Sequence, residues 1–285
     1  MIKIKKESIK FFKKNGFFLY KNFFKKTEIN KAKKWMLSQN PKKIIKSWTE
    51  TEPAVKMSVY SVLNEKKTPV SILSNNKKML EVASSLIEDD VYVWHSKINF
   101  KKAWAGTVEY FHQDRVYWQD RGYPSDKMLS CMIMMDDHNL HNSGLQIFPR
   151  THKLGFIKHQ NFININSLAK FMIPPKSLDK LQKKYKKLQV EGKAGDVLFF
   201  HSSLVHGSGH NTSDKDRMII LTQLNTKNNL PKNVNKNAIK FNLYRSKIEL
   251  NEAKRRLAWF KKKYDTQKNK NKIIYFAPIP KTEIK

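Results

Sequence analysis

Apolar positions change their period along the chain. Over residues 1 to about 90 they recur mostly at helical spacing: an amphipathic first segment, a short apolar strand at Gly16 to Tyr20, and a helix starting near Thr27 and Glu28 with a capping-type beginning. From Val91 the pattern turns to β. Val91 to Phe100, Thr107 to Phe111, Leu129 to Met135, Gly144 to Phe148, Asp196 to His201 and Met218 to Leu224 are short apolar or alternating runs divided by turn residues, which predicts strands. Several short strands at this spacing predict a sandwich or barrel. Between Leu154 and Glu191 a polar excursion interrupts the series. It carries Pro174-Pro175 and a Lys-rich helical stretch, Leu178 to Leu188, and its position suits a lid. Ile248, Leu250, Leu257 and Phe260 predict a further helix over Lys247 to Lys263, packed on the outside. No repeat or low-complexity linker divides the chain. The expectation is one domain over 1–285: a mostly helical part over 1–90, a mainly β core over 91–225, and an extension with a helix over 226–285.

Composition supports a folded protein, since 40% of the 285 residues are hydrophobic and 12% aromatic, enough for a substantial core. The net charge of +32 first suggests a phosphate-bearing partner. Its distribution argues otherwise. The basic residues are nearly all Lys, with Arg only at Arg115, Arg121, Arg150, Arg217, Arg245, Arg255 and Arg256, and they are scattered without an aromatic platform or nucleic-acid fingerprint. Asn and Ile are abundant too, and all three residues have A/T-rich codons, so genome composition accounts for the charge. No specific nucleic-acid partner is expected, only weak, salt-sensitive attraction to polyanions. Cys131 is the lone cysteine, which excludes an internal disulfide framework and a Cys-rich zinc site. Phe17 to Tyr20 is too short for a signal core, and no run approaches ~18 uninterrupted apolar residues. A cytoplasmic protein without membrane insertion is expected, and nothing in the sequence specifies an oligomer.

Candidate chemistry lies among nine histidines. His112 and Asp114, one residue apart at the end of a predicted strand, fall on one face by alternation and can share an ion. His206, just past the apolar strand Val197 to Phe200, supplies a second imidazole. Two His and one carboxylate form a facial triad that leaves positions open on non-haem Fe(II). Arg217, eleven residues after His206, starts the strand Met218 to Leu224. It offers a bidentate fork for a carboxylate if buried, or a surface pairing with Asp214 or Asp216 if not. His201, ending its strand, is the rival to His206. His138 and His141, in a polar Asp-Asp-His-Asn-Leu-His loop, read as solvated; His152 reads as a turn support, and His159 has no identifiable role.

The residues also carry a resemblance. Phe111-His112-Gln113-Asp114, then Trp118, Ser130-Cys131, Asn142-Ser143-Gly144-Leu145-Gln146-Ile147-Phe148-Pro149-Arg150-Thr151-His152-Lys153, Gly195 to Phe200, His206-Gly207-Ser208 and Arg217 follow in the order of the phytanoyl-CoA dioxygenase family. The likeness covers about 91 to 225, and within the family it runs toward the ectoine hydroxylases through Tyr92 to Asn99. It implies a double-stranded β-helix, or jelly roll, with flanking helices, and an Fe(II)- and 2-oxoglutarate-dependent oxygenase that consumes O2. It further implies His112, Asp114 and His206 as iron ligands, Arg217 as the 2-oxoglutarate clamp, Asn99 as a second contact to that cosubstrate, and Trp118 as a wall of the substrate pocket. His95 stands where ectoine enzymes carry Gln, so it belongs to the substrate-binding set while altering what is recognised. An intact Asp114 favours hydroxylation over halogenation. The expected substrate is a small polar metabolite resembling an amino acid or compatible solute. Alternatives are an acyl-CoA, lipid or nucleic-acid-associated substrate in the same family, or a metal-free jelly-roll binding protein.

Overall fold

In chain order the elements are helix α1 (Lys6–Asn15), strand β1 (Phe17–Tyr20), α2 (Lys26–Leu37), β2 (Trp48–Thr49), β3 (Ser58–Ser61), α3 (Pro69–Ser74), α4 (Lys77–Ile87), β4 (Val91–Lys101), β5 (Glu109–His112), β6 (Met128–Met134), β7 (Gln146–Ile147), β8 (Gln160–Ile163), β9 (Ala169–Met172), α5 (Pro175–Lys184), β10 (Leu188–Gln189), β11 (Val197–His201), β12 (His206–Ser208) and β13 (Arg217–Thr226). This computed structural model describes residues 4–38, 48–49, 58–61, 68–104, 108–118, 123–163 and 169–230. The helix expected over Lys247 to Lys263 lies outside the described residues.

The strands form an antiparallel sheet of order β1-β11-β6-β13-β4-β3-β2, a smaller sheet β10-β7-β12-β5, and the hairpin β8-β9. Every residue of β6 is buried because both faces of the long sheet are covered. Alternation along the strands sorts the two faces. Cys131, Ile133, Val197, Phe199 and Ile220 share one cluster with Phe12, Ile29, Ala32, Leu73, Met79 and Leu86 of the helices. Met132, Met134, Leu198, Phe200 and Ile219 turn the other way and meet Ile147 and Val190 from the smaller-sheet side. Residues 4–37 and 68–87 therefore roof the sheet that the later strands build. The result is mainly β with flanking helices, as expected.

Local chemistry sets the element ends. Gly16, at φ +80°, closes α1 with its N–H on the carbonyl of Phe12, 2.7 Å away, the left-handed conformation that glycine adopts without strain. Helix α2 starts at Lys26, one residue before the expected Thr27, and Glu28 reaches back to the N–H of Lys25 at 2.8 Å. Helix α5 begins at Pro175 and ends at Lys184, earlier at both ends than the expected Leu178 to Leu188. Proline at the first helical position has its φ already set and lacks the N–H that would go unpaired.

Candidate metal centre and cosubstrate cradle

His112 is the last residue of β5 and His206 the first of β12, and the two stand directly opposite in the antiparallel register. Their ring centroids are 4.4 Å apart. Close approach of the two strands depends on Gly207, where a Cβ would meet the carbonyl oxygen of Glu109 at 2.8 Å. Asp114 arrives differently from the expectation. The strand ends at His112, Gln113 stays extended, and Asp114 opens a 3-10 turn running to Tyr117. The turn swings the carboxylate back between the rings, so Asp114 Oδ1 lies 3.6 Å from Nε2 of His112 and 3.6 Å from Nε2 of His206. The ligand atoms of all three buried residues lie within 4.8 Å of one another.

The geometry around them presets the donors. His112 Nδ1 donates to the carbonyl of Tyr110 at 2.7 Å and His206 Nδ1 to that of Leu204 at 2.9 Å, which turns both Nε2 lone pairs inward. Asp114 Oδ2 accepts from Ser130 Oγ at 2.6 Å and from Gln223 Nε2 at 3.2 Å, leaving Oδ1 for an ion. These donor types suit a non-haem Fe(II) facial site.

Beside the triad, Arg217 and Lys101 are cross-strand partners, and Asn99 pairs with Ile219 two residues along. Arg217, Lys101 and Asn99 are all buried. The surface pairing is therefore excluded: Asp216 instead faces Lys102 and accepts the N–H of Ala103. Burial pulls the Arg217 guanidinium down to about 10, with the charges of Asp136 and Glu109 opposing, so it stays cationic at neutral pH. Its Nε, and Oδ1 of Asn99, are buried without a hydrogen-bond partner among the described residues. Buried polar groups seldom stay unpaired. A dicarboxylic cosubstrate with an oxygen for the guanidinium fits this cradle.

Some expected residues are placed elsewhere or not at all. His201 is on the helix-covered side of β11, where its ring meets His152 at 5.5 Å, while Phe200 on the inner side packs on His206 at 4.9 Å. Strand alternation thus turns His201 away from the cluster that His206 joins. Trp118 caps the 3-10 turn that Asp114 begins, but it is buried among Tyr92, Trp94 and Met128, with part of it lining a small cavity beside Arg115, Tyr123 and Asp126. His95 is on β4 opposite Gln223, and its side chain lies outside the described residues. His138 is not solvated: its main chain bridges to Gly192, it is 2% exposed, and neither ring nitrogen has a partner among the described residues. His141 is exposed as expected. His152 Nε2 lies 3.1 Å from the carbonyl of Lys13, near the C-terminal end of α1.

Sequence reasoning missed Lys101, whose Nζ donates to Ser143 Oγ (2.7 Å), Ser208 Oγ (2.8 Å) and the carbonyl of Gly209 (2.8 Å). Ser208 is two residues past His206, a candidate ligand. A lysine alternating inward beside Asn99 was the available signal. It missed Tyr117 as well, whose ring stands edge-on to His112 at 6.1 Å and to Phe171 at 5.3 Å.

Comparison with known proteins agrees with the geometry. The chain is 25% identical over 233 residues to the ectoine dioxygenase of Bordetella bronchiseptica, covering 78% of this chain and 76% of that one. It is 25% identical over 164 residues to the L-proline trans-4-hydroxylase of Streptomyces griseoviridis, covering 54% and 61%. The structure of EctD from S. alaskensis, solved with 2-oxoglutarate and 5-hydroxyectoine, superimposes with a TM-score of 0.68 at 23% identity over 80% of this chain and 78% of that one. Among the described residues no helix is long and apolar enough to cross a membrane. The family described as Phytanoyl-CoA dioxygenase (PhyH) matches residues 12–219, a stretch that contains the triad and Arg217. The chain belongs to the phytanoyl-CoA dioxygenase family.

Proposed function

We propose that this protein is an Fe(II)- and 2-oxoglutarate-dependent dioxygenase that hydroxylates an aliphatic carbon of a small, polar, amino-acid-like or compatible-solute-like metabolite. The observation that carries the reading is the convergence of His112, Asp114 and His206, with both imidazoles held by backbone carbonyls in the tautomer that presents Nε2. That preset donor set argues against a metal-free binding protein. The relatives named ectoine dioxygenase and L-proline trans-4-hydroxylase favour a small polar substrate over an acyl-CoA, a lipid or a nucleic-acid-associated one.

Iron, 2-oxoglutarate and O2, when bound, supply the oxidising chemistry, yielding succinate, carbon dioxide and a hydroxylated carbon. The chain's own residues do the rest. His112, Asp114 and His206 would hold the metal, and the cosubstrate and O2 would bind it there. Ser130 and Gln223 hold the Asp114 carboxylate in orientation. Arg217 grips the far carboxylate of 2-oxoglutarate through its planar fork, with Asn99 beside it and Lys101 adding a second buried cation. Tyr117, edge-on to His112, and the part of Trp118 that lines the cavity beside Arg115 and Asp126 supply aromatic surface suited to a cationic or zwitterionic substrate, and His95 tunes which ring substituents are accepted. The same reading takes residues 1–285 as one catalytic domain and the protein as cytoplasmic, which suits its lone, buried Cys131.

Succinate formation tests this over ectoine, proline, related amino acids, betaines and a fatty acyl thioester, with Fe(II) and 2-oxoglutarate supplied. A zwitterion should stimulate succinate release with hydroxylated product in step, and Asp114→Ala should abolish it. Turnover confined to the thioester would overturn the substrate class.

A further inference from the structure

The excursion between Leu154 and Glu191 grips the peptide between two of the proposed metal ligands. Gln113 is fully buried. Its side-chain Nε2 donates to the carbonyls of Gly155 (2.8 Å) and Ser203 (2.7 Å), and its Oε1 accepts the N–H of Ile157 at 2.8 Å. Its backbone N–H is satisfied by a side chain: it donates to Nε2 of His159 at 3.0 Å. His159 Nδ1 in turn donates to the carbonyl of Ile157 at 2.6 Å, which leaves Nε2 as the acceptor, and the ring stacks on Phe156 with centroids 5.5 Å apart. Further along, the N–H of Ile173 donates to the carbonyl of Phe111 at 2.8 Å. The excursion therefore binds the ligand segment immediately before His112 and immediately after it.

We propose that His159 is a positioning residue for the metal site: by accepting the N–H of the His112–Gln113 peptide it fixes the segment joining His112 to Asp114, and so couples order in residues 155–163 to metal occupancy. This rests on the iron reading above. The peptide plane it holds carries His112 on one side, and a single residue separates it from the turn that aims Asp114. Without the acceptor, that buried N–H has no partner and the segment can rotate, spreading His112 from Asp114. Side chains that hold metal ligands in orientation typically contribute 10–100-fold in metal affinity. Linkage makes the effect reciprocal: metal must stabilise the clasp by the same factor that the clasp stabilises metal.

The test compares wild type with His159→Leu, which removes the acceptor, and His159→Gln, whose Oε1 reaches the same place. Anaerobic titration with Fe(II) should show affinity reduced about 10–100-fold in the Leu variant and largely restored in the Gln variant. Hydrogen exchange across 155–163 should slow on adding Fe(II) in wild type and in His159→Gln, and stay unchanged in His159→Leu at saturating metal. Equal affinity in the Leu variant, equal loss in both variants, or exchange indifferent to Fe(II) in wild type would each overturn the proposal. Should His159→Leu not fold, the Gln variant and the wild-type exchange decide it. A wild type that takes up no Fe(II) would instead remove the iron reading itself.

Discussion

In the proposed site, protons would compete with iron for His112, Asp114 and His206, and burial shapes that competition residue by residue. At His206 burial dominates and lowers the pKa to about 4, with the Asp114 charge only partly opposing. At His112 burial also acts to lower it, but the nearby Asp114 carboxylate, the charge of Glu109 and the carbonyl of Tyr110 outweigh it and raise the pKa above 6.5. Burial acts to raise Asp114, yet the neighbouring imidazoles and Ser130 hold its carboxyl well below the usual range. Of the three proposed ligands, His112 is therefore the one from which iron would have to displace a proton. A raised folded-state pKa stabilises the metal-free fold below the unfolded pKa, and that contribution is lost as pH rises through the folded value. Metal affinity runs the opposite way: it should fall up to about tenfold per pH unit as pH drops below the His112 pKa. Calorimetric Fe(II) titration in buffers of different ionisation enthalpy should show close to one proton released about one pH unit or more below that pKa. Affinity flat from about pH 5.5 to 8 would contradict this assignment.

Arg217→Lys should raise the KM for 2-oxoglutarate while leaving Fe(II) affinity nearly unchanged, because an ammonium cannot reproduce the fork, and a charged hydrogen bond of about 1.5–3 kcal/mol is lost. An unchanged KM would remove Arg217 from the cosubstrate site. The identities of His112, Asp114, His206 and Arg217 were legible in the sequence through spacing joined to family likeness. Lys101, Ser130, Gln223 and His159 were not. Each acts through a partner 16 to 109 positions away, and a single sequence does not show such pairs.

Among elements, strands were more legible than the turns that make the site. Val91–Lys101 and Arg217–Thr226 fall within two residues of their expected limits, because an apolar run bounded by turn residues records burial directly. The 3-10 turn at Asp114 was hidden, since Asp114 also satisfies simple strand alternation with His112. Expected strand Gly144 to Phe148 shrinks to Gln146–Ile147 because the Gly144 N–H is taken by the carbonyl of Asn139 at 2.8 Å in the preceding turn. Pairing of β5 with β12 rests on Gly207, so Gly207→Ala should push those strands apart. The expected cost is about 1–3 kcal/mol of overpacking and a weakening of Fe(II) binding beyond the loss of stability, read by thermal unfolding beside metal titration. Unaltered metal affinity would mean the strands yield elsewhere and the His112–His206 spacing is not set there.

For the whole molecule, the excess of positive charge was the most prominent feature of the sequence and the least informative about the fold. Charge speaks to solubility and nonspecific association, whereas the sandwich follows from alternation and the helical roof from residues such as Phe12, Ile29 and Met79. In the proposed reaction this sandwich holds iron and 2-oxoglutarate so that one O2 serves cosubstrate and substrate together. Turnover under 18O2, with whichever zwitterion stimulates succinate release, tests that most directly by mass spectrometry of both products. One labelled oxygen should enter succinate and one the new hydroxyl group, in equal amounts, and both should vanish in His206→Ala while persisting in His201→Ala. A hydroxyl oxygen derived from water alone, succinate without label, or labelling that survives loss of His206 would contradict the account.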